Sequence, residues 1–424
     1  MKRKRKTIPQ PFFHAPPTDN ILKEFGSRDL AGINALIIGS AIFETEQILR
    51  SRRLSKVVIS LYQSARGQYD LRAISKLIRD LLIFTVVEDV EVEFRQIETQ
   101  LSFEYADPGQ KISSVCLFSG GTDSYSGILH ARKALGTLQG VFCAHADQSR
   151  IIHIVEQLRQ KVLQRKGIEL TKVGVPSIEA RGYAQLRGFL YLLAATVVAH
   201  KLGSQQLVVT ECGPTMYQPR FSPLDSITMT THPFVVRTAA AIARLLLRRE
   251  LKIIIPFENL TKAEVIAICP EKEGLTFTHS CITQRFGTHD GTCYGCVIRR
   301  LGTIAADVED VSYDRNPITD SNAHAGNLYS LLDFCYQVLT NFNQMEEYER
   351  GVIDTYSKRK LFHRFALDNF SAIHRMLSQK KRVVRPIREM YESLVQKIGT
   401  EALEIRIKQL SKPEVKPNFR RLAN

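Results

Sequence analysis

No stretch of this 424-residue chain is apolar for long enough to cross a bilayer; the longest such run, Gly188 to Ala199, is closed by Arg187 and His200. A secretory leader is missing as well. The basic start Lys2 to Lys6 runs into Pro9, Pro11, Pro16 and Pro17 instead of an apolar core, so the sequence predicts a cytoplasmic protein with no membrane partner. Two common phosphate-binding signatures are absent: there is no G-x-x-x-x-G-K-[ST] and no G-x-G-x-x-G, which excludes a Walker-type nucleotidase and a dinucleotide fold. Cysteine is sparse, eight residues in all, too few for a disulfide scaffold at this length. Cys116, Cys143, Cys212, Cys269 and Cys335 lie in apolar surroundings and read as buried. Acidic residues are outnumbered 43 to 58 by lysine and arginine, which leaves a net charge of +15.

That excess is uneven. Residues 371–424 hold 13 basic against 5 acidic side chains. Such a face can recruit nucleic acid or an acidic protein, or be a solvated helical surface; aromatics for base stacking are sparse there, Tyr391 and Phe419 alone.

What the chain does have is Lys111 to Ser124, K-I-S-S-V-C-L-F-S-G-G-T-D-S. Val115 to Phe118 suit a short buried strand, Gly120 and Gly121 break it, and Asp123 and Ser124 open an amphipathic helix to Leu135. Two adjacent glycines let backbone N–H groups close on an oxyanion, and the helix aims its positive end at the same place. Ser119 and Ser124 add hydroxyl donors. Asp123 can hold a divalent cation among phosphate charges.

Around this stretch the pattern alternates. Strands are expected at Val115–Phe118, Gly140–Ala144, Thr171–Val175, Gln206–Thr210 and Lys252–Ile255. Helices are expected between them at Ser124–Leu135, Arg150–Arg165, Arg181–Leu202 and Pro233–Arg249. Near-continuously apolar strands in such alternation predict an α/β protein whose parallel sheet has helices on both faces, with ligands beyond the carboxyl ends of the strands. Ahead of it, a flexible basic tail (1–20) precedes a small α+β domain (21–110), with strands at Ala35–Ile42, Lys56–Leu61 and Val90–Phe94 and a helix at Asp70–Leu82. The nucleotide module takes 111–315. A basic helical region (316–424), helical from about Ala325 to Leu410 with breaks at Pro386 and Pro413, follows.

Residues 281–296 carry a second constellation. Cys293-Tyr-Gly-Cys296 is a C-x-x-C knuckle and Cys281 lies upstream across a glycine-containing loop, so three thiolates can fill three corners of a tetrahedral zinc site. His289 and Asp290 are the candidates for the fourth. A redox C-x-x-C is the rival reading.

S-G-G-x-D-S after an apolar strand is the hallmark of the PP-loop ATP pyrophosphatases, whose adenine nucleotide alpha hydrolase-like fold the resemblance implies here. With the cysteine loop ending in C-x-x-C-x-x-R, the chain resembles the QueC family, the 7-cyano-7-deazaguanine synthases, over roughly residues 112 to 305. That family reads C-G-x-C-x-x-C-x-x-R where this chain has Asp290-Gly-Thr-Cys293-Tyr-Gly-Cys296-Val-Ile-Arg299, so the resemblance places Asp290 at the second zinc cysteine. Arg187-Gly-Phe-Leu stands where the family carries R-N-x-x-F, and Leu260-Thr-Lys262-Ala-Glu264 looks like the lysine-bearing turn that closes the pyrophosphate site. Thr210-Glu211-Cys212-Gly213 replaces a G-x-N segment. This, Thr230-Thr-His232-Pro and the long extensions look like the QueC-like proteins of bacterial anti-phage islands, the QatC group of the Qat system above all, and their relatives in type IV CBASS.

The resemblance implies an enzyme that uses ATP and Mg²⁺, holds Zn²⁺, and adenylates 7-carboxy-7-deazaguanine before an amine displaces AMP. Ser119, Asp123 and Lys262 would be catalytic. Gly120, Gly121, Thr122, Ser124 and Ala144 would complete the ATP site. Arg187 and Glu211 would contact the base, Cys281, Asp290, Cys293 and Cys296 the metal. A partner protein of a defence operon could supply the amine, and a homodimer is implied. A tRNA-modifying PP-loop enzyme and a non-catalytic nucleotide-binding scaffold subunit are the alternatives.

Overall fold

The structure, a computed structural model, describes residues 30–49, 54, 56–62, 69–86, 89–97, 112–144, 149–175, 186–217, 230–282, 289–345, 347–355 and 357–419. The basic tail 1–20 lies outside them. From Leu30 the elements run α1 (Leu30–Leu49), β1 (Lys56–Tyr62), α2 (Leu71–Val86), β2 (Glu91–Ile97), β3 (Ser114–Leu117), α3 (Thr122–Leu135), β4 (Leu138–Ala144), α4 (Ser149–Leu158), β5 (Glu169–Gly174), α5 (Arg187–Lys201) and β6 (Gln206–Val209). They continue with α6 (Gly213–Tyr217), α7 (Pro233–Leu247), β7 (Lys252–Ile254), α8 (Lys262–Ala267), α9 (Tyr294–Ala306), α10 (Gly326–Thr340), α11 (Glu347–Thr355), α12 (Arg359–Ser378), α13 (Arg385–Ile398) and α14 (Glu401–Ser411).

The chain forms two compact units that do not follow its order. One takes residues 1–111, 173–205 and 228–251; the other takes 112–172, 206–227 and 252–424. The contiguous partition expected from sequence differs from this, because α5 and α7, which are read there as part of the nucleotide module, cluster with the N-terminal elements.

In the first unit β1 and β2 pair in parallel, from Lys56 opposite Glu91 to Tyr62 opposite Ile97, with α2 as the crossover. Asn34 pins the end of β1, its amide donating to the Tyr62 carbonyl at 2.9 Å and accepting from the Tyr62 N–H at 2.9 Å. The strand expected at Ala35–Ile42 is wrong: those residues lie within α1. The helix is buried on nearly every side, Ile33, Leu36, Ile38 and Ile42 all being at most 1% exposed. A helix covered all round shows no 3.6-residue periodicity, and a short apolar run is then indistinguishable from a buried strand. Gly39 permits the close packing of α1 on α5, since a Cβ there would meet the Leu190 side chain at 2.9 Å.

The second unit is built on a five-stranded sheet in the order β5-β4-β3-β6-β7. β3 pairs in parallel with β4 and with β6, and β6 with β7. Val115, Cys116, Leu207 and Val208 are fully buried, as strands without a solvent face require. β3 is therefore the switch strand: the chain proceeds from it to one side through β4 and β5, then returns to its other side at β6. An open parallel sheet forms its ligand crevice beyond the carboxyl ends of the strands at such a point.

The C-terminal helices belong to this unit. Phe118, Ile128, Ile266, Leu301, Phe362 and Leu403 are members of one continuous core. α13 carries Pro386 in its first turn, where a missing N–H costs nothing, and ends at Gly399 with φ +74°. Among the described residues no helix is long and apolar enough to cross a membrane.

Candidate functional site

The loop after β3 turns at Gly120, whose φ of +79° is the left-handed region that side chains avoid; a Cβ there would also lie 2.9 Å from Val155. Its carbonyl accepts the His279 N–H at 2.9 Å. Gly121 caps α3 with no side-chain cap, so the first amides of the helix are served by the loop or by a ligand. The Ser119 hydroxyl donates to Ser124 Oγ at 3.1 Å, and Ser124 Oγ donates to the Gly121 carbonyl at 3.0 Å.

Asp123, in the first turn of α3, is 4% exposed. Its Oδ2 accepts from Lys262 Nζ at 2.7 Å and from the Cys212 N–H at 3.2 Å. Its Oδ1 is buried and has no partner among the described residues, and the same holds for Thr122 Oγ1. Orphaned polar atoms of this kind are costly unless a ligand or ion satisfies them. Glu211 completes the group. Burial and then the Asp123 charge push its carboxyl up to about 8, with Lys262 opposing. Burial, the largest influence, would lower the Lys262 ammonium; Asp123, Cys212 and Glu211 together outweigh it and hold Lys262 above its ordinary range. Asp123, Glu211 and Lys262 thus come together from beyond the ends of β3, β6 and β7. Ala144 closes β4, buried, and the four residues after it lie outside the described ones.

Arg187, expected at the base, belongs to the other unit. Arg187 opens α5 in the first unit and is exposed; the buried Glu46 carboxylate accepts the N–H of the preceding Leu186 at 2.7 Å. Residues 181–185, expected in the same helix, are outside the described residues. His232, also in the first unit, caps α7 by accepting the Phe234 N–H on Nδ1 at 3.2 Å, and burial pushes it down to about 4.

The cysteine cluster lies at the head of α9. Donor atoms of Cys281, Asp290, Cys293 and Cys296 all fall within 4.8 Å of one another, so this group could hold a metal ion. Cys281 Sγ and Cys293 Sγ are 3.9 Å apart. Sulfurs of a tetrahedral zinc site stand about 3.8 Å apart when each Zn–S bond is about 2.3 Å, so the donor set is compatible with zinc. Asp290 Oδ1 is aimed by the N–H groups of Thr292 (2.9 Å) and Cys293 (3.0 Å). Of the two candidates for the fourth position, Asp290 is the one in the cluster. His289 is occupied elsewhere: its Nε2 accepts the Ser280 N–H at 3.2 Å and its ring packs at a tilt of 50° against His279. Gly291 (φ +84°) has no room for a side chain, because a Cβ would sit 1.9 Å from the Arg315 carbonyl oxygen.

Sequence reasoning noted Arg299 only as matching a motif; the fold makes it the brace between cluster and loop. Fully buried, it donates to Asp310 Oδ1 (2.7 Å), to the Thr278 carbonyl (2.7 Å) and hydroxyl (3.0 Å), and to the Leu275 carbonyl (2.8 Å). Thr278 precedes His279, which holds Gly120. Arg299→Lys is expected to cost roughly 3–5 kcal/mol, because an ammonium cannot reproduce the fork and leaves buried acceptors unpaired. Urea unfolding measures this, and wild-type stability in the variant would contradict the assignment.

No model of a known protein family matches the chain, and no curated protein matches it either.

Proposed function

We propose that the second unit is an ATP pyrophosphatase of the PP-loop kind, resembling QueC, which adenylates 7-carboxy-7-deazaguanine and passes it to an amine. The observation that carries this reading is the buried Asp123–Lys262 pair beside the Gly120–Gly121 turn, with Asp123 Oδ1 unpartnered. Carboxylate, lysine, helix-start amides and hydroxyls at the switch point are what a triphosphate with a departing pyrophosphate needs.

In this reading the loop amides from Gly120 to Ser124 and the Ser119 hydroxyl bind the leaving phosphates, with the adenine beside Ala144. Lys262, held charged by Asp123, stabilises the pyrophosphate as it departs. A substrate carboxylate oxygen attacks the α-phosphorus, the bond to the β-phosphate oxygen breaks, and the acyl adenylate and pyrophosphate result. An amine then attacks the acyl carbon and AMP leaves. Asp123 would hold Mg²⁺, which would supply charge neutralisation for the triphosphate. Glu211, next to Asp123 and with its carboxyl pushed up to about 8, adds a second carboxyl group there, largely protonated near neutral pH. Zn²⁺ on Cys281, Asp290, Cys293 and Cys296 is structural in this scheme. The amine is ammonia or, in an anti-phage system of the Qat kind, a group on a partner protein.

The test is pyrophosphate release from ATP and Mg²⁺ with and without 7-carboxy-7-deazaguanine. Release that depends on the deazaguanine is the expected result. Nucleotide binding without release would favour a scaffold subunit, and release that requires tRNA would favour the tRNA-modifying reading.

A further inference from the structure

Lys262 is the first residue of α8, and the cap that places it is shared with the C-terminal helices. Thr261 Oγ1 accepts the Glu264 N–H at 3.2 Å and Glu264 Oε2 accepts the Thr261 N–H at 2.9 Å, a reciprocal capping box. Each side chain of that box has a second engagement. The Thr261 hydroxyl donates to Asp368 Oδ2 on α12. Glu264 Oε1 accepts from Arg406 Nη2 of α14 at 2.7 Å and from Arg364 Nε of α12 at 2.8 Å. Arg406 Nε closes the ring on Asp368 Oδ1 at 2.6 Å. Glu264, Asp368 and Arg406 are 1%, 3% and 4% exposed. From the other side, Gly302 of α9 leaves space for the lysine stem, since a Cβ there would stand 3.1 Å from Lys262 Cγ.

A buried ionic network is weak evidence for stability, because desolvation consumes most of its attraction; its best-attested use is to set register. Here the register it sets is that of the first turn of α8. A shift of that turn moves Lys262 Nζ away from Asp123, 2.7 Å distant. Small displacements of a phosphate-binding group have large costs.

We propose that Arg406, with Asp368, is a positioning residue for Lys262, so that the C-terminal helices form part of the pyrophosphate subsite through the cap of α8. This rests on the functional reading above. The experiment compares binding of pyrophosphate and of AMP, each with Mg²⁺, to the full chain and to Lys262→Ala, Arg406→Gln, Arg406→Lys and Asp368→Asn, with melting temperatures recorded. Arg406→Gln is expected to weaken pyrophosphate about tenfold or more, the value of a lost charge-assisted hydrogen bond, while AMP binding holds. Arg406→Lys should recover part of it. Equal loss of both ligands, or a fall in melting temperature with pyrophosphate affinity unchanged, would show Arg406 to be merely structural and overturn the proposal. If Arg406→Gln does not fold, Asp368→Asn, which keeps the shape, decides on the same criterion. No pyrophosphate binding by the wild type, or none lost in Lys262→Ala, would instead refute the functional reading itself.

Discussion

Asp123→Asn is expected to lower pyrophosphate release from ATP by at least about 10²–10³-fold, the usual loss when one preorganised charge-stabilising group is removed from a reacting centre. The substitution keeps the side chain's shape, so the Cys212 N–H keeps an acceptor. What disappears is the charge. Lys262 then loses its buried ion-pair partner, and the buried Oδ1 position no longer carries a charge to hold a cation among phosphates. The loop itself stays intact, because Ser119, Ser124 and the Gly120 carbonyl make their bonds independently of Asp123. Nucleotide binding measured alongside should therefore fall much less than turnover. A variant that releases pyrophosphate within a few-fold of the wild-type rate would remove Asp123 from the chemistry.

Stripping the metal from the cysteine cluster should have the second large effect, and it should reach the Gly120–Gly121 loop. Three consecutive residues make the connection. His279 donates its N–H to the Gly120 carbonyl at 2.9 Å, Ser280 donates to His289 Nε2 at 3.2 Å, and Cys281 is a donor of the cluster. Without a cation, three thiols and a carboxylate crowd one small volume, and hydrogen bonds such as that from the Asp290 N–H to Cys281 Sγ at 3.5 Å restrain the loop less than a metal bond would. A metal present at about a thousand times its Kd contributes about 4 kcal/mol. For a unit of this size that is a fall of roughly 8–16 °C in melting temperature on chelation. Hydrogen exchange should rise at residues 119–121 as well as around the cluster. Elemental analysis should find one zinc per chain, absent in Cys293→Ser and retained in Asp290→Cys, which restores the fourth thiolate of the resembling family. Chelation that leaves both melting temperature and loop exchange unchanged would sink the structural role.

How far the sequence alone reached depended on the range of each signal. The strand, glycine turn and helix from Ser114 to Leu135 were legible because each is encoded within a few residues: a buried β run, two glycines, an acidic first turn. All five sheet strands, the C-x-x-C knuckle and the break at Pro386 that opens α13 were legible for the same reason. Where the local signal was ambiguous, it misled. Residues 35–42 read as a strand because a helix buried all round carries no amphipathic period, and only packing against α5 and α7 distinguishes the two.

By itself, then, the sequence determined that this is an α/β protein with a glycine loop after its central strand and a three-cysteine cluster further on. Tertiary structure alone decided which distant residues share those places. It put Lys262 on Asp123, chose Asp290 over His289 for the cluster, and drew α5 and α7 out of sequence order into the other unit. It also brought Arg406 to Glu264, 142 positions away. The physical reason is that such pairs are set by strand order and by the need to bury charge with a partner, neither of which leaves a mark in any local window of the chain.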